Sequence, residues 1–531
     1  MNKKNTGSYY TPNYLAEFVV NRVFANFTGR KTTLQILEPS VGDGSFVKAI
    51  EKNELLKKSQ IKLTAIEKNG DELIKGESIC KLASSEFIKQ DFLKYDTEKR
   101  FSIILGNPPY IKKNRLTNSQ LTKCREIHFA ENLSEKSVKN LWAAFVVKSN
   151  KLLKENGVLA FVLPSELLQV KFTEEIRTFL QANFQRLEIF TFNDLMFECK
   201  GQDTIVLFAY KKHSEAGVFY SKIANENHII NEQINLTKND ALITSNVKWT
   251  HHILSSEEIE FVEKIGNTLE KVSYYCNSKP GIVTAANNYF IVDRETEEKY
   301  NLSEYTSPII QKGLFVNGSV VFDKKDYEEL LESNHPAKII IFKDSDKENF
   351  PEKVKEYIKL GEDQELQTRY KCKIRENWFV IPNIAEKPQG FFFKRCHHYP
   401  KILENSAEVF VTDSAYKIEM KEDFDIKSLI YSFYNSLTLT FAEMEGRYYG
   451  GGVLELIPSE FKKLPIPYIK TTEKQFEKYR VKFEEKENIG SILDIYDSKI
   501  LRNTLDLTKD EIKKIQLIRK TLVNKRFRKN L

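Results

Sequence analysis

The chain predicts an α/β fold: a Rossmann-like, doubly wound, mainly parallel sheet followed by a C-terminal α+β domain. Three observations predict it. Short β-branched or apolar runs alternate with helix-period stretches through about the first 212 residues. The first of those runs ends in a glycine-bearing turn that opens a helical pattern. After about residue 245 the rhythm changes to shorter strand candidates, rich in aromatics and turn signals.

The strands expected in the first part are Leu34–Glu38, Lys62–Glu67, Phe87–Asp91, Phe101–Gly106, Val158–Leu163, Leu187–Phe192 and Thr204–Tyr210. Between them lie helical patterns, one placing Trp142, Phe145, Val146 and Leu153 on a single face. A loop, not a helix, separates the last two strands, which predicts an antiparallel hairpin at one edge of the sheet. Residues 250–470 carry turn signals at Lys279-Pro280-Gly281 and Gly450-Gly451-Gly452 and a charged linker over Lys343–Lys371. From 471 onward the chain reads as helical and charged, with Leu501, Leu505, Ile512, Ile515 and Leu522 on one stripe. The expected divisions are therefore 1–245, 246–470 and 471–531.

Composition narrows the class. A 41% hydrophobic and 29% charged chain is globular, neither disordered nor fibrous. It contains no apolar run of membrane-spanning length, and the start holds no apolar stretch suited to a signal peptide. Cys80, Cys124, Cys199, Cys276, Cys372 and Cys396 form no CxxC pair and read as reduced thiols of a cytoplasmic protein. His251-His252 and Cys396-His397-His398 each lack a second half at zinc spacing, so no metal is expected. The net charge is +7, and from Lys499 onward 11 Lys/Arg face 3 Asp/Glu, which leaves the remainder near neutral. Such a run reads as a solvated helical face or as the footprint of a polyanion. On the second reading Lys525, Arg526, Arg528 and Lys529 would meet phosphates.

Chemistry concentrates in Asn107-Pro108-Pro109-Tyr110, directly after the apolar strand Phe101–Gly106. Each proline fixes φ and holds the preceding residue extended, so the tetrapeptide is a rigid turn. Rigidity is what methylation of a planar amine such as adenine N6 requires, because that lone pair is delocalised into the ring. The side-chain oxygen of Asn107 and the carbonyl of Pro108 can accept both amine hydrogens, which frees the lone pair at little reorganisation cost. Tyr110 offers a flat face to a base flipped out of its stack. Upstream lies Glu38-Pro39-Ser40-Val41-Gly42-Asp43-Gly44-Ser45-Phe46, where glycines at 42 and 44 permit a tight turn against a ligand. Glu67 ends the next strand, suited to ribose hydroxyls. Asp91 ends the third, suited to an adenine amino group that Phe92 would cover.

This motif order resembles the gamma class of amino-methylating DNA methyltransferases, the TaqI-like adenine-N6 enzymes of restriction–modification systems. Gly7-Ser8-Tyr9-Tyr10-Thr11-Pro12, ahead of an amphipathic helix with Leu15, Phe18 and Val19, matches that family's opening motif. The resemblance implies the S-adenosylmethionine-dependent methyltransferase fold. It implies cofactor contacts at Thr11, Glu38, Ser40, Gly42, Glu67, Asp91, Phe92 and Pro109, and catalytic contacts at Asn107, Pro108 and Tyr110. Phe197 sits where the family places a second aromatic against the flipped adenine, although Glu198 follows it where some members have proline. Gly281-Ile282-Val283-Thr284-Ala285-Ala286-Asn287 and the run Arg447–Leu456 resemble the family's DNA-recognition domain. The resemblance spans about residues 7–467.

It implies double-stranded DNA as partner, a cytoplasmic, nucleoid-associated monomer in a bacterium or archaeon, and a separately encoded cognate endonuclease. With six residues before the opening motif, methylation without DNA cleavage is expected. Three alternatives share parts of the pattern. A glutamine-N5 protein methyltransferase uses the same tetrapeptide, but neither the opening motif nor a large C-terminal domain. A cytosine-N4 enzyme more often begins that tetrapeptide with serine. A non-catalytic specificity protein would not be expected to keep the Asp, Asn, Pro and Tyr set intact.

Overall fold

The computed structural model describes residues 10–27, 33–192, 204–223, 225–230, 234–239, 248–249, 253–316, 318–343, 347–382, 384, 386–449 and 452–527. The chain forms two compact units, Met1–Ile259 and Glu260–Leu531. No helix among the described residues is long and apolar enough to cross a membrane.

The first unit is built on one nine-stranded sheet. Its strands are β1 (Leu34–Glu38), β2 (Ile61–Glu67), β3 (Ser85–Lys89), β4 (Phe101–Gly106), β5 (Leu153–Pro164), β6 (Arg186–Phe192), β7 (Thr204–Tyr210), β8 (Gly217–Ile223) and β9 (Thr237–Lys238). They lie in the order 3-2-1-4-5-7-6-8-9. Strands β3, β2, β1, β4 and β5 are parallel throughout, while β7 runs antiparallel to both β5 and β6. Parallel strands covered on both faces need near-continuous apolar sequence, and β4 is buried at every position. Two separate apolar clusters, one holding Leu37, Ile104 and Phe161 and the other Ile36, Ile103 and Ala160, follow the alternation of side chains along these strands.

The longer helices are α1 (Asn13–Ala25), α2 (Ser45–Lys52), α3 (Gly70–Ile79), α4 (Asn118–Phe129), α5 (Leu141–Leu152) and α6 (Glu174–Asn183). Leu15, Phe18 and Val19 of α1 are buried as expected, and Phe18 meets Phe190 edge-on at 5.2 Å. Trp142, Phe145 and Val146 are buried on α5, whereas Leu153 already opens β5.

Two expectations are corrected. The β6–β7 hairpin exists but is not at the edge, because β8 pairs in parallel with β6 and β9 follows. Strand β8, which the sequence pattern did not predict, has five of its seven residues buried. The third strand stops at Lys89, two residues short of Asp91. The Asp91 carboxylate instead caps the 3₁₀ turn Phe92–Lys94 by accepting from the Leu93 N–H at 3.0 Å. A short acid hydrogen-bonding its own backbone competes with the strand ladder.

The second unit is α+β. One sheet orders Cys276–Pro280, Ala415–Met420, Gly390–Phe393, Lys401–Asn405 and Val321–Phe322, and four- and three-stranded sheets accompany it. The segment after 471 packs into this unit. Helices α7 (Ser436–Glu445), α8 (Ile489–Leu505) and α9 (Lys509–Arg526) come together, and Phe476, Tyr479, Tyr496 and Ile500 share a core with Tyr275 and Phe392. The expected single stripe is split between α8 and α9 by a left-handed residue at Asp506. Arg526, expected to face phosphate, is buried: its guanidinium pairs with Glu443 at 2.8 Å and donates to the carbonyls of His397, Gly452 and His398. Arg528 and Lys529 lie outside the described residues.

Candidate active site

A cavity of about 560 Å³ opens at the carboxyl ends of β1, β2 and β4 in the first unit. That is the end at which doubly wound sheets bind ligands, because successive loops there lead into helix N-termini. It brings together eight of the candidates: Thr11, Ser40, Gly42, Glu67, Asp91, Phe92, Asn107 and Pro109.

The turn after β1 forms because its glycines take left-handed conformations that residues with side chains rarely adopt. Gly44 has φ +81° and caps α2, and a side chain there would come within 3.0 Å of the Gly76 Cα on α3. This close approach draws the turn over the end of β2. There the Glu67 carboxylate accepts from the Gly42 N–H at 3.1 Å and from the Asn69 N–H at 2.9 Å. Two backbone donors fix the carboxylate and still leave lone pairs for a ligand hydroxyl. Asp91 is fixed the same way: beyond its bond to Leu93, it accepts from Gln120 Nε2 at 3.3 Å and faces Lys68 Nζ at 3.4 Å. Phe92 is 2% exposed, with its ring 4.8 Å from that of Phe145 and the Lys148 ammonium 5.2 Å from its face.

Glu38 behaves differently. It is fully buried beneath the turn, does not line the cavity, and neither of its oxygens has a hydrogen-bond partner among the described residues. Burial holds its carboxyl well above the usual carboxylate range, and the charges of Asp43 and Glu67 push the same way. A buried carboxyl without partners leaves a demand for a cation or a donor.

Asn107 follows Gly106, whose φ of +150° turns the chain out of β4. Its amide nitrogen donates to Thr11 Oγ1 at 3.1 Å, and its backbone carbonyl accepts from Ser40 Oγ at 3.1 Å. The opening motif thus orients the amide, turning its oxygen away from Thr11. Thr11, expected among the cofactor contacts, touches the Asn107 side chain directly. Pro108 and Tyr110 are buried and absent from the cavity lining. Tyr110 is 8% exposed, and its hydroxyl donates to the Val162 carbonyl of β5 at 3.1 Å. Phe197 lies outside the described residues.

Sequence reasoning missed Tyr10, Lys68, Gln120 and Phe145, all of which line the cavity. Gln120 carried a signal. With Thr117 it forms the capping box that starts α4, and the same side chain reaches Asp91. Lys68 and Phe145 carried none, because their position depends on how neighbouring strands and helices pack.

Known proteins resemble the chain over both units. Residues 23–197 match the model of the Eco57I restriction-modification methylase, and residues 246–501 match that of the C-terminal domain of Type II methyltransferase M.Eco57I. The chain is 23% identical over 480 residues to Type II methyltransferase M.AccI of Acinetobacter calcoaceticus, covering 87% of this chain and 85% of that protein. It is 26% identical to Type II methyltransferase M.HincII of Haemophilus influenzae over 211 residues, 40% of this chain and 38% of the relative. Among solved structures, the Type IIL restriction-modification enzyme MmeI superposes with a TM-score of 0.58 at 13% identity, over 97% of this chain and 72% of that one. The sheet is that of the S-adenosylmethionine-dependent methyltransferase fold, and the two models divide most of the chain between them. The chain belongs to the Eco57I-type restriction–modification DNA methyltransferases, within the gamma class that its motif order resembles.

Proposed function

We propose that this protein transfers a methyl group from S-adenosylmethionine to N6 of adenine in a specific double-stranded DNA sequence, as the modification enzyme of a restriction–modification system. The observation that carries the reading is the anchored amide of Asn107 at the edge of a cavity furnished with the carboxylates of Glu67 and Asp91.

The residues suit the cofactor. Glu67 would hold ribose hydroxyls, and Asp91 with Phe92 would hold an adenine ring by its amino group and its face. Glu38 is a buried acid in want of positive charge. S-adenosylmethionine supplies, when bound, an electrophilic methyl on a sulfonium. Asn107 and the Pro108 carbonyl accept the two hydrogens of the target amine, and the Thr11 contact keeps the amide oxygen in the accepting orientation. Because a duplex hides that amine, the base must flip out, with Tyr110 and Phe197 as its aromatic neighbours.

Expression in a host without DNA methylation, followed by modification-sensitive sequencing, tests the whole reading. N6-methyladenine in one recurring sequence is expected. N4-methylcytosine, or an unmodified genome from well-expressed protein, would overturn it.

Two further results are expected at the cofactor site. Replacing Glu67 with Gln should raise the dissociation constant for S-adenosylmethionine about 10- to 100-fold, the worth of lost charge-assisted hydrogen bonds. Turnover at saturating cofactor should be retained. Glu38 should make cofactor affinity depend on pH. Its carboxyl is held above the usual range, and a cation favours the ionised form, so binding releases a proton. Affinity should therefore strengthen as pH rises through the Glu38 titration and level off above it. Calorimetry in buffers of differing ionisation enthalpy would register the proton, and Glu38→Gln should abolish the signal.

A further inference from the structure

The second unit carries an exposed element of unusual composition. Residues 369–375 read Arg-Tyr-Lys-Cys-Lys-Ile-Arg, four cations and no acid. Cys372 is fully buried and anchors the short helix Tyr370–Lys373. Residues two apart on a helix point about 200° from each other, whereas residues four apart share a face. Tyr370 and Ile374 therefore project together on the side opposite the anchor. They are the two most exposed large apolar side chains among the described residues, at 79% and 68%. Lys371 and Lys373 are exposed beside them and have no acidic partner among the described residues.

Next to this element is a hollow of about 480 Å³, whose lining includes Arg369, Lys371, Gln364, Asn287 and Asn288. One acid, Asp413, also lines it, facing Lys394 at 4.0 Å. The opposite wall is a backbone loop held in a costly shape. Ala285 has φ +68°, a left-handed conformation rare for a residue with a side chain. Cations on the 369–375 element pin that loop: Arg369 donates to the Ala285 carbonyl at 3.3 Å, and Arg375 to those of Val283 and Thr284 at 3.3 and 2.8 Å. Strain maintained by several bonds is characteristic of places where a ligand is gripped. The amides of Gln364 and Asn288 are exposed and unpartnered among the described residues, a chemistry that reads base edges, adenine above all.

The geometry points to this element and its hollow as a docking surface for a DNA duplex that takes part in choosing the target sequence. Lys371, Lys373 and Arg369 neutralise phosphates. Tyr370 and Ile374 form an apolar wedge against the bases, and Asn288 and Gln364 face base edges in the groove. Three cations around so small an apolar face are answered by a polyanion that also presents flat rings, as a DNA duplex does. The inference rests on the reading of the chain as a DNA methyltransferase.

The test uses the full-length protein. Modification-sensitive sequencing of a methylation-free host first gives the wild-type target, and fluorescence anisotropy then follows labelled duplexes with and without that sequence over a range of salt. The double variant Tyr370→Ala with Ile374→Ala should weaken binding to the target duplex about 10- to 100-fold, with little change for the scrambled one. Lys371→Gln with Lys373→Gln should weaken both duplexes alike and flatten the slope of log affinity against log salt by about 1.8. Asn288→Ala with Gln364→Ala should relax the modified sequence at one or more positions. Thermal melting and S-adenosylmethionine affinity should match wild type in all three, since every replaced side chain is exposed. If wild type modifies a defined sequence while the variants keep its affinity, salt slope and sequence, this inference fails and the proposed function stands. A wild type that modifies no DNA overturns both. A variant that changes the oligomeric state by light scattering would assign the face to a second copy of the chain and refute the proposal.

Discussion

Replacing Asn107 with Ala is expected to lower single-turnover methyl transfer by about 10³-fold or more, while the dissociation constant for S-adenosylmethionine stays within about twofold. The magnitude follows from removing a preorganised polar group aimed at the reacting atoms. The separation of effects follows from the structure, where cofactor candidates Glu67 and Asp91 are fixed by Gly42, Asn69, Leu93 and Gln120 and not by the Asn107 side chain. Thr11→Val should give a smaller loss confined to transfer. The amide survives that change but loses the 3.1 Å contact that orients it. Rapid-quench assays with labelled cofactor, beside equilibrium titration, would measure both quantities. Turnover near wild type in the Asn107 variant would remove the central residue from the mechanism.

Arg526→Ala is expected to cost about 3–5 kcal/mol of folding stability, the usual penalty for leaving one member of a buried ion pair without its partner. The side chain of Arg526 is fully buried and that of Glu443 is 3% exposed, so solvent cannot relieve the isolated carboxylate. The loss also removes a donor from the carbonyls of His397, Gly452 and His398. Replacing both partners together, Arg526→Met with Glu443→Gln, should recover part of the loss, because no uncompensated charge then remains. Urea unfolding followed by near-ultraviolet circular dichroism would resolve this. A midpoint unchanged in the single variant would contradict the buried pair. DNA affinity measured under native conditions should change little, in contrast to the phosphate contact that the sequence suggested for Arg526.

Much of the first unit was legible in the sequence because its signals are local. Leu34–Glu38 and Phe101–Gly106 announce themselves as apolar runs, and the turn between Glu38 and Phe46 by its glycines. The tetrapeptide Asn107–Tyr110 needed only its position after a strand. What escaped was everything that depends on packing between distant segments. The Thr11–Asn107 bond joins residues 96 apart, and Gln120 reaches Asp91 from the start of a helix that it also caps. Likewise, charge counting could not separate Arg526 from Lys525, since burial is fixed by how α9 lies on α7. Strand β8 escaped because Gly217–Ile223 follows β7 with no helical pattern between them, and its place beside β6 is set by packing across the sheet.

The latch around Arg526 has a consequence for synthesis. The first unit draws its sheet and cavity from residues before about position 259, which are synthesised ahead of the second unit. The second unit is closed by bonds from Arg526 back to residues between 397 and 452. A ribosome must therefore have passed position 526 before that unit can complete its core. During translation the first unit is therefore complete while the second still lacks the bonds that Arg526 brings. The last turn of α9 thus ties the end of the second unit to its middle, a join that forms only once α9 itself is complete.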